Sequence, residues 1–151
     1  FRIMSELLET GFPLPEINRM LFRSTPLRKL KLQARALDKL ELYCGGRVAI
    51  SALSLSDFSD CGATAEDHEG VVDLLRDIDT VEAAASLRAC EDGTVRVSLR
   101  GKRYADVSRV AVALHGGGHK LAAGCTICGS LEAAKSAVLA ELRKLFPEEH
   151  V

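Results

Sequence analysis

Neither charge sign prevails in this sequence: 20 lysines and arginines stand against 21 aspartates and glutamates, a formal net charge of −1 at pH 7. Such balance excludes a chain whose whole surface coats nucleic acid or an acidic membrane, so any basic site must be local. Also missing is an apolar run near the roughly 18 to 20 residues of a membrane span. Glu6 and Glu9 fall where a signal peptide needs an unbroken apolar stretch. A soluble, cytoplasmic chain with no membrane partner is the expectation. The five cysteines, Cys44, Cys61, Cys90, Cys125 and Cys128, are odd in number and widely spaced, in a chain long enough to fold without covalent staples. Reduced thiols follow. No Walker-type glycine-lysine motif occurs, and no Ser-His-Asp or Cys-His arrangement stands out, so no hydrolytic centre is nameable.

What the 151 residues do contain is enough apolar sequence for a core that buries roughly two-thirds of the unfolded surface. The chain opens on Phe1 with a helical pattern (Ile3, Met4, Leu7, Leu8) and no capping residue before it, which suggests that an upstream domain precedes it. Gly11, Pro13 and Pro15 turn the chain into a second short helix over residues 17–22. A longer helix is expected over about residues 26–43, with Thr25 as N-cap, Pro26 at its first position and a buried seam of Leu27, Leu30, Ala34 and Leu37. Its other face carries Arg28, Lys29, Lys31, Arg35 and Lys39, read as a solvated side or the lining of a polyanion cleft. Residues 1–45 thus form a helical connector, and residues 46–151 the domain proper.

Val48 to Leu55 reads as a strand closed by the Ser56, Asp57, Ser59, Asp60 cluster. Thr64 with Asp67 makes a capping box for a helix whose stripe is Val71, Leu74, Leu75 and Ile78. Glu66, Asp67 and Glu69 then suit the first-turn dipole better than a metal site. Two strands over residues 80–90 and 94–100 flank Glu91-Asp92-Gly93, a three-residue hairpin loop. With Cys90 opposite Thr94, Leu87 meets Val97 and Ala85 meets Leu99, which leaves Arg88 opposite Arg96 with Ser98 and Arg100 on the same face. Asp106 caps a helix through Leu114, and Ser130 caps the last one, with Leu131, Ala134, Val138, Leu142 and Leu145 buried. Together these predict an α/β domain with a mixed sheet of about four to five strands flanked by helices.

The stretch that packing alone does not call for is Gly116-Gly117-Gly118-His119-Lys120-Leu121-Ala122-Ala123-Gly124. Glycines let backbone amides approach a ligand, Leu121 to Ala123 continue as a short helix pointing its amides at the loop, and His119 adds a donor. The plainer reading is a helix C-cap and a tight turn. Downstream, Cys125-Thr126-Ile127-Cys128 has zinc-like spacing with His115 and His119 nearby. Residues three apart on a strand point to opposite faces, however, and Thr126 and Ile127 favour strand, so no metal is assigned.

The nine-residue glycine string, together with Ser98-Leu99-Arg100-Gly101-Lys102-Arg103, closely resembles the motifs of the DHH-associated domain, the substrate-binding C-terminal half of DHH family phosphoesterases. The resemblance runs from about Glu66 to Ser130. It implies phosphate or substrate contacts from Arg100, His119, Gly116, Gly117, Gly118, Ser98 and Lys102, with no catalytic residue in this chain. It also implies an upstream catalytic domain in which two metal ions, manganese or magnesium, activate water. Short single-stranded RNA or nucleotide phosphates are the implied ligands, as in the short bacterial enzymes that degrade oligoribonucleotides and dephosphorylate adenosine 3',5'-bisphosphate. Single-strand DNA exonucleases, cyclic dinucleotide phosphodiesterases and the tRNA-binding C-terminal module of alanyl-tRNA synthetase are the alternatives, and a homodimer is left open. Asp67-His68-Glu69 is not the Asp-His-His signature of the family's catalytic half, because its third residue differs.

Overall fold

The computed structural model describes residues 5–6, 9–11, 13–22 and 24–147, and the stripe expected from Ile3, Met4, Leu7 and Leu8 lies outside them. Two helices lead in, α1 (Leu14–Phe22) and α2 (Leu27–Asp38). The strands are β1 (Glu41–Tyr43), β2 (Val48–Leu53), β3 (Ala83–Ala89), β4 (Thr94–Gly101), β5 (Gly117–His119) and β6 (Ala122–Cys128). They form one sheet in the order β1-β2-β3-β4-β6-β5, with β2 and β3 parallel and the other neighbours antiparallel. Between strands lie α3 (Leu55–Cys61), a 3₁₀ turn (Ala65–His68), α4 (Val71–Arg76) and α5 (Val107–Ala113), and α6 (Leu131–Arg143) follows the sheet. The α/β architecture is as expected, with six strands rather than four or five.

One sheet face packs its alternate residues, among them Ile50, Leu87, Val97 and Leu99, against Val110 of α5 and Val138 and Leu142 of α6. Each fully buried leucine there contributes about 1.5 to 3 kcal/mol over leaving it exposed. The opposite face is covered only in part. Ala49 and Ala84 pack under Val72 and Leu75 of α4, while Leu53 meets Leu32, Phe58 and Val71. Beyond β3 this cover thins: Arg96, Ala122 and Thr126 are exposed, and Ser98, Arg100 and Gly124 are half-buried.

Helix α2 is turned over relative to the sequence expectation. Leu32 and Ala36 face the core, whereas Leu27, Leu30 and Leu37, expected as the seam, are 68%, 49% and 48% exposed, and Ala34 is exposed as well. The cause is two buried carboxylates beneath the helix. Asp57 accepts from Arg35 at 3.0 Å and from Lys39, and Asp67 accepts from Arg28 at 2.9 Å. Both aspartates close capping boxes, Asp57 with Ser54 and Asp67 with Thr64, so they must sit at helix starts under α2 and must be met by cations. Three of the five basic residues therefore reach to these carboxylates, and Leu27, Leu30 and Leu37 are left facing outward. Pro26 itself occupies the N-cap position with no side-chain cap bond, one residue later than expected for Thr25.

Other boundaries differ as well: α1 starts at Leu14 rather than residue 17, and β3 starts at Ala83 rather than residue 80. The second helix does not run to residue 43: it stops at Asp38, and the chain doubles back through Cys44, Gly45 and Gly46, all at positive φ, so that β1 pairs with β2. The Ser56 to Asp60 cluster, expected as a strand boundary, is the body of α3, because the Ser54–Asp57 box nucleates a helix there and Gly62 in the left-handed region ends it. Thr64 and Asp67 cap as expected, but only one 3₁₀ turn follows before Gly70, at φ 87, starts α4 separately.

Candidate phosphate-binding face

The β3–β4 hairpin has the register read from its loop. Cys90 N donates to Thr94 O at 2.8 Å, Leu87 lies opposite Val97, Ala85 opposite Leu99, and Arg88 opposite Arg96. Pairing of β4 with β6 and of β6 with β5 extends these rows across the sheet. One row reads Ala84, Arg100, Ala122, His119, and its neighbour reads Ser86, Ser98, Gly124, Gly117. Because side chains alternate across a strand, all of these point to the thinly covered face. Arg100 and His119 thus stand two strands apart, about 10 Å between backbones, over a floor of a methyl and two glycines.

The segment that carries His119 is a hairpin, not a loop feeding a helix. Leu121 to Ala123, expected as a short helix, instead forms a turn and the start of β6, so no helix amides aim at the glycines. Tertiary pins decide it: Gly101 N donates to Leu121 O at 3.0 Å and Val107 N to Lys120 O at 2.9 Å, which hold the turn against β4 and the start of α5. At the entry, His115 takes φ 60 and Gly116 N reaches back to Ala111 O at 2.7 Å, ending α5.

The three glycines have separate reasons. A Cβ on Gly116 would lie 2.2 Å from Gly124 O, and one on Gly118, at φ 141, would lie 2.5 Å from Ala123 Cα. Crowding against β6 therefore accounts for both. A Cβ on Gly117 would meet nothing within 4 Å, so packing does not explain this glycine.

Arg100 is positioned by a residue that sequence reading passed over. Its Nε donates to Asp73 Oδ1 of α4 at 3.2 Å and its Nη1 to Leu99 O at 3.1 Å, while Nη2 has no hydrogen-bond partner among the described residues. Asp73 also accepts from Arg76 at 2.8 Å, so its charge is shared. Lys102 is placed otherwise: its ammonium donates to the carbonyls of Ile78 and Asp79, just past α4. Arg103 pairs with Glu82, a fully buried carboxylate.

On the covered part of this same face, Ser86 Oγ lies 2.7 Å from His68 Nε2 of the 3₁₀ turn. Burial, and then the charge of Arg88, lower the His68 pKa to about 4, so the ring is neutral at neutral pH. Burial of Asp57 opposes its ionisation, but Lys39 and the Ser54 hydroxyl and amide outweigh it and hold its pKa at about 2. The Thr64 amide is foremost in lowering that of Asp67. In β6, Cys125 is opposite Val97 and Cys128 opposite Thr94, on opposite faces as a strand requires, and burial raises the Cys125 pKa.

A mixed sheet closed by helices on one face, and presenting arginine, serine, glycine and histidine in register on the other, defines an α/β domain with one thinly covered polar sheet face. The chain belongs to the DHHA1 domain family, which matches residues 44–147. It is 33% identical over 145 residues to the bifunctional oligoribonuclease and PAP phosphatase NrnA of Thermus thermophilus, covering 95% of this chain and 42% of that protein. An exopolyphosphatase-related protein from Bacteroides fragilis superposes with a TM-score of 0.87 at 27% identity, over 96% of this chain and 43% of that one. The pGpG-specific phosphodiesterase PggH of Vibrio cholerae shares the fold, with a TM-score of 0.61 at 13% identity, over 95% of this chain and 50% of that one. The chain thus spans half or less of each of these relatives. Among the described residues, no helix is long and apolar enough to cross a membrane.

Proposed function

We propose that this chain is the substrate-holding part of a metal-dependent phosphoesterase acting on short oligoribonucleotides or nucleoside bisphosphates, and that the Arg100–His119 row grips a substrate phosphate. The observation that carries this reading is the shared row: Arg100, Ala122 and His119 in register on one face, with Gly117 and Gly124 beside them. The small floor lets a phosphate descend between a guanidinium and an imidazole, where charge-assisted bonds are strongest. Asp73 acts on Arg100 as a positioning residue, holding Nε while Nη2 stays free for phosphate oxygen. Ser98 supplies a neutral hydroxyl to the same ligand, Gly117 leaves room for it by lacking a side chain, and Lys102 supports α4 rather than the phosphate. Likeness to NrnA favours RNA fragments and adenosine 3',5'-bisphosphate over other phosphate esters.

Manganese or magnesium does not fit the described residues of this chain. No group of three or more His, Cys, Asp or Glu suited to a metal occurs among the described residues, and both oxygens of Asp57 and Oδ2 of Asp67 are committed to caps and cations. The metal ions belong, on this reading, to an upstream catalytic domain, and this chain contributes binding and orientation.

The test is a binding titration of the chain, at fixed salt, with a short oligoribonucleotide and with adenosine 3',5'-bisphosphate. Arg100→Ala should weaken binding by about 1.5 to 3 kcal/mol, with His119→Ala losing a similar amount. Arg100→Lys should recover only part, because a point charge does not reproduce the fork. If both groups hold one phosphate, the double variant departs from additivity by more than about 0.5 kcal/mol. Wild-type affinity in all three Ala variants, with the fold intact, refutes the reading.

A further inference from the structure

A second cationic feature lies on the same sheet face, and the proposed phosphate row does not use it. Arg88 and Arg96 stand directly opposite each other in β3 and β4, one side of a cavity of about 970 Å³ that runs between the β3–β4 hairpin and α3. Like charges so placed destabilise a strand pair unless something answers them. Among the described residues neither arginine has an ion pair, whereas Arg28, Arg35, Arg76, Arg100 and Arg103 each have a carboxylate. Two acids stand at the rim: Asp92, whose carboxyl bonds the amide and hydroxyl of Thr94 at 3.0 and 2.6 Å and feels the Arg96 charge without forming an ion pair with it, and Glu91, which is exposed. The remaining wall is hydroxyl and apolar, with Ser59, Thr64, Leu55 and Phe58.

Along β4, Arg96 and Arg100 are four residues apart on one face, with Ser98 between them, a separation of about 13 Å. We infer that the Arg88–Arg96 cavity is a second subsite, which takes a further nucleotide unit of an oligoribonucleotide already held at Arg100. In it the two guanidiniums take a phosphodiester, and the Leu55–Phe58 wall takes the attached base and sugar. A nucleoside bisphosphate held at Arg100 does not span that distance, whereas a chain of several nucleotides does. The cavity therefore sets the preference for oligonucleotide length. This rests on the Arg100 reading for the first phosphate.

The experiment titrates the chain with adenosine 3',5'-bisphosphate, a diribonucleotide and a tetraribonucleotide at fixed salt, in wild type, Arg96→Ala, Arg88→Ala and Arg100→Ala. Arg96 is exposed, so its replacement leaves the fold intact, and denaturant unfolding checks this for Arg88→Ala. Arg96→Ala is expected to weaken the tetranucleotide at least tenfold and to leave the bisphosphate within twofold, whereas Arg100→Ala weakens all three. A second readout is the NMR titration of His68, beneath Arg88: bound tetranucleotide should move its midpoint upward, and bisphosphate should not. Equal losses for all three ligands in Arg96→Ala would reduce the cavity to general surface charge, and no loss for any would remove it as a subsite. Unchanged binding in Arg100→Ala alongside a length-dependent loss in Arg96→Ala would sink the first site and not the second.

Discussion

At Gly117 the question is what a glycine is for. Gly116 and Gly118 are held to glycine by β6, whose backbone would lie 2.2 and 2.5 Å from their added Cβ atoms, but Gly117 faces open space on the thinly covered sheet face. Stability and binding should therefore separate. Gly118→Ala is expected to destabilise the chain by about 1 to 3 kcal/mol, since the obstacle is backbone and the φ is unfavourable besides. Gly117→Ala should stay within about 0.5 kcal/mol of wild type in denaturant unfolding, yet weaken oligoribonucleotide binding by placing a methyl where the phosphate approaches. Unchanged binding in Gly117→Ala would show that the ligand does not come close to this backbone, whatever the triple-glycine spelling suggests.

At the scale of elements, the 3₁₀ turn is fastened to the sheet by His68, whose ring meets Ser86 in β3 and packs near Phe58 of α3. Its pKa is about 4 in the folded chain against an ordinary 6.5, from burial first and Arg88 second. The unfolded chain therefore takes up the proton at higher pH than the folded one. Stability from this group is complete above about pH 6.5 and is lost as pH falls towards 4, a total of about 3 kcal/mol. His68→Gln keeps a polar contact with Ser86 and does not titrate, so its unfolding free energy should be flat across that window relative to wild type. Parallel curves for the two proteins would mean that His68 is not the responsible group.

The elements also divide by what sequence reveals. The β3–β4 hairpin was legible, and with it the rows that align Arg88, Arg96, Ser98 and Arg100, because a three-residue loop fixes register and the apolar alternation agrees on both strands. The caps Asp106 and Ser130 were legible because they are local: each side chain bonds an amide two or three residues on. The β5–β6 hairpin was not, since Leu-Ala-Ala has helix propensity and only contacts from Gly101 and Val107 pin it as a turn. Nor was the orientation of α2, where the leucine spacing pointed one way and two buried aspartates, distant in sequence, pulled the basic residues the other. Asp73, which orients Arg100, carries no motif at all.

For the whole molecule the division of labour is the central issue. The chain spans 42% of its Thermus relative, and on the proposed reading its described residues supply a grip; no group of three or more potential metal ligands occurs among them. Placing a phosphate in a fixed orientation accelerates a reaction only when the attacking group is held opposite it, and on the proposed reading that group is a metal-activated water on another domain. The isolated chain should therefore bind oligoribonucleotide and adenosine 3',5'-bisphosphate and hydrolyse neither, with or without added manganese. Product release followed by chromatography over many hours at high protein concentration measures this, with the titration of the same preparation as the check that the ligand site is formed. Binding without turnover is the expected result. Turnover that rises with manganese and disappears in Arg100→Ala would locate a reactive centre on this sheet face, and the Arg100–His119 row would then have to be read as part of the chemistry rather than as its clamp.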